Sequence, residues 1–307
     1  MNKEELLKLY DKNLDELIEI SNKITRENFN NEVEACSIIS AKTGNCKENC
    51  KYCAQSITSS AKINCHPLLS IEEIKQAAKK AKENGATRFC IVTSGKSISD
   101  EDFPKILEMI KAVKSIKGLH CCASLGFLTK EQIKQIKETG VERYNHNINT
   151  SENYYKEICT THSFNDRINM VKNLTEENIE ACSGVILGMG ETREDRVDMA
   201  LTLSKLNPKT VPINILNPIK GTSLENSKNL ISEEEILKTI CIFRILMPKT
   251  ILRYASGRCT EFSHSAQKLG LIAGINGILI GNYLTTKGAE TNEDAKMLED
   301  MNLTLTK

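Results

Sequence analysis

The sequence predicts an α/β fold, a (β/α)8 TIM-type barrel with an N-terminal helical extension. Three observations carry that expectation. Short apolar runs rich in β-branched residues alternate with longer segments of helical period, and about eight such runs can be counted. The chain of 307 residues is 40% hydrophobic, enough for one large core. No low-complexity tract, Pro/Gly/Ser-rich linker or composition shift marks a boundary, so a single domain over 1–307 is the simpler reading.

In chain order, residues 1–31 form the helical extension, 32–290 the barrel and 291–307 a C-terminal tail. Strands are expected at 33–40, 86–93, 119–124, 143–148, 180–187, 211–216, 251–255 and 277–281. The amphipathic segments between them predict helices at 71–84, 103–115, 130–138, 165–173, 193–206, 233–246 and 263–272. One misassigned short strand would leave an incomplete barrel. In either form the loops at the C-terminal ends of the strands would carry the site.

Charge narrows the partners. Lys and Arg total 41 against 40 Asp and Glu, a net charge of +1, and no long run of one sign suggests a nucleic-acid or membrane surface. The longest nearly apolar stretch, 269–281, is interrupted by Asn276 and too short to span a bilayer, and the charged segment 1–31 is unlike a signal peptide. A cytoplasmic protein acting on small molecules is expected. Twelve cysteines in such a protein point to metal or redox chemistry, because a reducing compartment disfavours structural disulfides.

The strongest motif follows the first predicted strand. Cys46, Cys50 and Cys53 are spaced C-x3-C-x2-C in Gly44-Asn45-Cys46-Lys47-Glu48-Asn49-Cys50-Lys51-Tyr52-Cys53. Three thiolates are one fewer than saturate a [4Fe–4S] cluster, which leaves one iron open to chelate S-adenosylmethionine and pass an electron into its sulfonium. Two other readings stay open. The spacing also places three small residues on one helical stripe facing a core, and a structural zinc could use a remote fourth ligand. The polar residues Lys47, Glu48, Asn49 and Lys51 behind Gly44 suit a loop better than a packed helix.

Cys90, Cys122 and Cys182 fall in three separate predicted strands, and Arg253 in a fourth. Strand residues of the right parity converge on a barrel axis, so these could form a second metal site. A buried guanidinium there would need an anion, which a sulfide cluster would provide. Each cysteine alone could equally be a small core residue.

From about Cys36 to Thr286 the chain resembles the biotin synthase family. The cluster loop carries the resemblance, together with Tyr144-Asn145-His146-Asn147, Val211-Pro212-Ile213-Asn214 and Leu284-Thr285-Thr286. The resemblance implies a [4Fe–4S] cluster on Cys46, Cys50 and Cys53, and an auxiliary cluster of [2Fe–2S] type on Cys90, Cys122, Cys182 and Arg253 as sulfur donor. It implies that an adenosyl radical takes hydrogen from the methyl carbon of dethiobiotin, that cluster sulfide captures the carbon radical, and that a second radical event closes the thiophane ring. Tyr52, Asn149, Gly184, Ile186, Gly188 and Glu191 would surround S-adenosylmethionine, with Arg167 on its carboxylate. Asn147, also near the cofactor, and Asn214 would bind the ureido group of the substrate, and Thr285 and Thr286 its carboxylate. A donor such as flavodoxin or ferredoxin and a homodimer come with the family.

The chain departs from the family's pattern at Asn149, where an acidic residue is usual, and at Val185, which replaces a glycine. Cys121, Cys159 and Cys259 are extra thiols expected near the cavity, where they would bear on the nuclearity of the auxiliary cluster. Rival enzymes of the same branch are a hydrogenase-cofactor maturase and a methylornithine synthase. A noncatalytic iron–sulfur protein for electron transfer or redox sensing is the rival from another class, disfavoured by the missing fourth cysteine near Cys53.

Overall fold

The structure, a computed structural model, describes residues 1–227, 231–281, 284, 288 and 291–306. Its strands are β1 (Glu32–Lys42), β2 (Arg88–Thr93), β3 (His120–Ser124), β4 (Arg143–Asn145), β5 (Glu180–Cys182), β6 (Val185–Leu187), β7 (Thr210–Ile215), β8 (Ile251–Tyr254), β9 (Gly277–Leu279) and β10 (Thr304–Leu305). They pair in parallel in the order β1-β2-β3-β4-β5-β7-β8-β9, β6 also pairs with β7, and β9 returns to β1 through Glu34↔Gly277 and Cys36↔Leu279. The sheet is therefore closed, with the chain of β5 and β6 counting as one stave of eight.

The expected strand 180–187 is interrupted at Ser183 and Gly184. The Gly184 N–H goes to the Asn147 side-chain oxygen, 3.0 Å away, and not to a neighbouring strand. A Cβ on Gly184 would lie 1.9 Å from the Pro212 carbonyl oxygen, so only glycine fits where these two segments touch.

Helices α1 (Lys3–Leu9) and α2 (Leu14–Phe29) form the extension. The remainder are α3 (Ile71–Glu83), α4 (Phe103–Lys114), α5 (Lys130–Thr139), α6 (Tyr155–Ile158), α7 (Phe164–Glu176), α8 (Arg193–Leu206), α9 (Glu233–Leu246), α10 (Arg258–Glu261), α11 (His264–Ala273) and α12 (Thr291–Asp300). Reciprocal caps start four of the outer helices: Ser70 with Glu73, Thr129 with Gln132, Ser163 with Asp166 and Thr192 with Asp195. The extension covers the barrel at α9 and α11, where the buried Ser21 hydroxyl donates to the Ala273 carbonyl at 2.8 Å. The expected C-terminal tail, 291–307, holds α12 and the two-residue β10, which lengthens the sheet beside β1.

Alternation along the strands separates two apolar environments. Ala35, Phe89, Ile91, Cys121 and Ala123 belong to the core between sheet and helices, whereas Cys36, Cys90, Cys122 and Leu279 cluster by themselves. Truncating Ile91, which is fully buried, to Ala would cost about 2–5 kcal/mol. The second set faces the barrel axis.

Candidate active site

The chain leaves β1 and crosses the C-terminal end of the barrel as an irregular loop, so the helical-stripe reading of Cys46, Cys50 and Cys53 does not hold. Gly44 opens the loop at φ +90°, a left-handed conformation suited to glycine, and a Cβ there would strike Cys65 Sγ at 2.3 Å. The Gly44 N–H donates to Gln55 Oε1 at 2.8 Å, and Ser94 donates to the Gly44 carbonyl at 2.7 Å. Ser56 closes the far side by donating to the Glu48 carbonyl at 3.0 Å. The loop is thus shaped by its own hydrogen bonds. The Cys50 thiol is pushed up by its contact with Cys159 and by burial, and burial pushes up Cys53. Thiolates here need a cation.

A cavity of about 300 Å³ runs from the barrel interior to the loops after β1, β7 and β8. Tyr52 and Cys53 line it from the loop; Cys90, Cys122, Cys182 and Arg253 line it from the strands. Cys90 and Cys122 are direct partners in the β2–β3 register, and Cys182 pairs with Asn145 of β4. Parity thus brings together the four interior residues singled out from sequence. A fifth, Cys36 of β1, was missed, because without the register a strand cysteine looks like any small core residue. Burial raises all four thiols, Cys36 to about 12 and Cys90 well above the usual range, while for Cys122 and Cys182 it outweighs the nearby arginines.

Arg253 already has an anion, contrary to the expectation that a cluster would be needed to supply one. Its Nη2 donates to Glu34 Oε1 at 2.5 Å, the same oxygen accepts from Arg143 Nη1 at 2.7 Å, and Glu34 Oε2 accepts from Arg88 Nε at 2.7 Å. Burial would raise the Glu34 carboxyl, but Arg253, Arg143 and Arg88 outweigh it and hold it down to about 2. Arg253 Nε is buried without a hydrogen-bond partner among the described residues. Four thiols and one unsatisfied guanidinium nitrogen on one cavity fit an iron–sulfur group, which needs thiolates and accepts hydrogen bonds at sulfur.

The residues expected around S-adenosylmethionine divide. Tyr52, Asn147, Asn149 and Ile186 line the cavity. Asn149 sits at φ 69°, where asparagine is tolerated, and its Nδ2 donates to the Tyr52 hydroxyl at 2.8 Å. Arg167 donates to the Tyr155 hydroxyl and, at 3.0 Å, to the Asn147 carbonyl. Glu191 spends its two oxygens on the N–H groups of Gly188 and Met189, each at 2.8 Å, and so braces its own turn. Gly184 abuts Pro212, and Gly188 adopts φ +90° beside Ile231.

On the substrate side, Asn214 lines the cavity with its carboxamide held at both ends, donating to the Val185 carbonyl at 2.9 Å and accepting from Ser256 N–H at 3.1 Å. Each end keeps capacity for one more bond. Thr285 and Thr286 lie outside the described residues, although Leu284 lines the cavity. The three extra thiols are not among the cavity's lining. Cys121 is in the sheet–helix core, Cys259 is on α10, and Cys159 lies 3.6 Å from Cys50.

The family model described as the Radical SAM superfamily matches residues 41–203, and that of the Biotin and Thiamin Synthesis associated domain matches 212–304. The biotin synthase of Acetivibrio thermocellus is 46% identical over 289 residues, covering 94% of this chain and 89% of that protein. That of Clostridium perfringens is 42% identical over 305 residues, covering 99% and 94%. Among solved structures, methylornithine synthase superposes with a TM-score of 0.84 at 22% identity over 100% of this chain and 94% of its own. The [FeFe]-hydrogenase maturase HydG of Carboxydothermus hydrogenoformans gives 0.86 at 18% identity, covering 100% and 76%. Those two likenesses establish the barrel and nothing of the chemistry. A [4Fe–4S] cluster with S-adenosylmethionine comes with the radical SAM match, and an auxiliary iron–sulfur cluster with the synthase relatives. On its matched domains and its identity to full-length relatives, the chain belongs to the biotin synthase family of radical S-adenosylmethionine enzymes.

Proposed function

We propose that the chain converts dethiobiotin to biotin by inserting sulfur, in one cavity that Cys53 and Tyr52 enter from the loop and Cys90, Cys122, Cys182 and Arg253 enter from the strands. That shared cavity carries the reading. Groups held by the loop thiols and by the strand residues would open on the same space, within reach of one substrate. When bound, the groups implied by the family supply an electron for cleaving S-adenosylmethionine to a 5′-deoxyadenosyl radical and sulfide for the new C–S bonds.

The chain's own residues bind, orient and exclude water. Cys46, Cys50 and Cys53 would hold the [4Fe–4S] cluster, and Cys90, Cys122, Cys182 and Arg253 a [2Fe–2S] auxiliary cluster. Arg167 would meet the cofactor's carboxylate, a planar fork of donors suited to that anion, with Asn149 and Tyr52 on its nucleoside half. Gly184, Ile186, Gly188 and Glu191 would shape the strand end beside it. Asn147 and Asn214 would present amides to the ureido group, and Thr285 and Thr286 hydroxyls to the carboxylate. Ile38, Val92, Ile186 and Leu279 give the cavity apolar walls, which keep water from a reactive radical.

Twelve free cysteines support a reducing, cytoplasmic setting. Among the described residues no helix is long and apolar enough to cross a membrane. A flavodoxin or ferredoxin donor and a homodimer belong to the same reading on the strength of the family alone. The test is anaerobic incubation of reconstituted protein with dethiobiotin, S-adenosylmethionine and a strong reductant. Biotin detected by mass supports the proposal; cleavage of S-adenosylmethionine with dethiobiotin unchanged would mean another substrate.

A further inference from the structure

Cys159 and His162 have no part in the proposed reaction, yet both are buried against Cys50. Cys159 Sγ lies 3.6 Å from Cys50 Sγ, and His162 Nε2 lies 3.4 Å from the first sulfur and 3.6 Å from the second. A tetrahedral zinc ion with bonds of about 2.3 Å to sulfur and about 2.0 Å to nitrogen separates its ligands by about 3.8 Å (S to S) and about 3.5 Å (S to N). The three edges match that figure to about 0.2 Å. Ligands on different irons of one cluster stand farther apart.

The surroundings favour an ion as well. Arg167 Nη2 is 3.3 Å from His162 Nε2, and a guanidinium only donates, so Nε2 is the unprotonated nitrogen; its one lone pair now accepts from Arg167, a contact that a bound metal would replace. The Nδ1–H is then left for the Tyr155 hydroxyl, 2.8 Å away, which fixes the ring. Two thiolates and Glu48, whose Oε2 is 3.5 Å from Nε2, balance a divalent cation together with Arg167. The two segments are sewn together without a metal: the Thr160 N–H donates to Asn49 Oδ1 at 3.0 Å, Asn49 Nδ2 to Thr160 Oγ1 at 2.6 Å, and the Lys51 N–H to the Ile158 carbonyl at 3.0 Å. Among the described residues, these are the trio of Cys, His, Asp or Glu ligand atoms that all lie within 4.8 Å of one another.

We propose that Cys50, Cys159 and His162 form a site for a single zinc ion, with water in the fourth position, and that zinc there withholds Cys50 from the three-thiolate cluster. The competition, though not the site, rests on the assignment of Cys50 to the cluster.

Cobalt(II) serves as the coloured probe. The full-length, cluster-free chain carrying Cys46→Ser and Cys53→Ser cannot bind metal through the rest of the loop. Anaerobic titration should give one tetrahedral cobalt with thiolate charge-transfer bands, displaced by one equivalent of zinc. Adding Cys159→Ser or His162→Ala should remove those bands. Tyr155→Phe, which keeps all three ligands, should weaken binding by about tenfold. In the otherwise unaltered chain, zinc should block four-iron assembly at concentrations at least about tenfold lower than in Cys159→Ser. Bands indifferent to Cys159 and His162 would overturn the site even if biotin is made; equal zinc sensitivity of the two chains would overturn the competition.

Discussion

Arg253 and Glu34 meet across Gly277 of β9, the register partner of both, where a Cβ would come within 3.2 Å of the arginine's own Cβ. The glycine leaves room for the 2.5 Å ion pair that orients Arg253 in the cavity. Glu34 ionises at about 2 in the folded chain against about 4.3 for a free glutamate. A depressed carboxyl stabilises the fold above the free value, and that contribution fades as pH falls through the folded one. It is on the order of 3 kcal/mol. Glu34→Gln should therefore lower Tm by about 5 °C at neutral pH and flatten the loss of Tm between about pH 4.5 and 2, as measured by thermal unfolding. An unchanged Tm would mean the arginines find other partners.

Cys50→Ser should abolish reductive cleavage of S-adenosylmethionine, because a hydroxyl is a poor substitute for thiolate on iron. The readout is 5′-deoxyadenosine by chromatography. Normal production would remove Cys50 from the cluster.

Asn149→Asp should bind S-adenosylmethionine as well as the parent or up to about fivefold tighter, since a carboxylate accepts ribose hydroxyls more strongly than an amide. The backbone at φ 69° accommodates aspartate, and the Tyr52 hydroxyl can turn to donate. Calorimetry decides; a large loss would show a pocket built around the amide donor.

Cys122→Ser and Cys182→Ser should separate the two halves of the chemistry: deoxyadenosine still forms and biotin does not. Cys121→Ser and Cys259→Ser, which alter thiols away from the cavity, should keep full iron and sulfide. If the auxiliary cluster has two irons, Cys36→Ser should keep them too; a fall in iron would give Cys36 a ligand's place. Iron, sulfide and Mössbauer analysis beside both products reads all of this.

The closed barrel was legible because eight β-branched runs alternate with seven segments of helical period, and the cluster loop because its cysteine spacing is local. The strand thiols were legible only as a set, by parity. Glu34 was not, since a glutamate near the start of a strand reads as solvent-facing until the arginines of three other strands are placed around it. The approach of Cys159 to Cys50 spans 109 residues and is made by two loops, where no periodicity operates. The bracing of the turn at Glu191, whose carboxylate accepts from the Gly188 and Met189 N–H groups, was not legible either, because a local carboxylate–backbone contact leaves no periodic signal.

The most direct test of the sulfur-insertion account is a single turnover with the auxiliary cluster assembled from isotopically heavy sulfide and ordinary sulfide absent from the buffer. Biotin should carry the heavy sulfur, in an amount limited by the auxiliary clusters present. Biotin carrying only light sulfur, or undiminished formation by a chain with Cys90, Cys122 and Cys182 all changed to Ser, would contradict it.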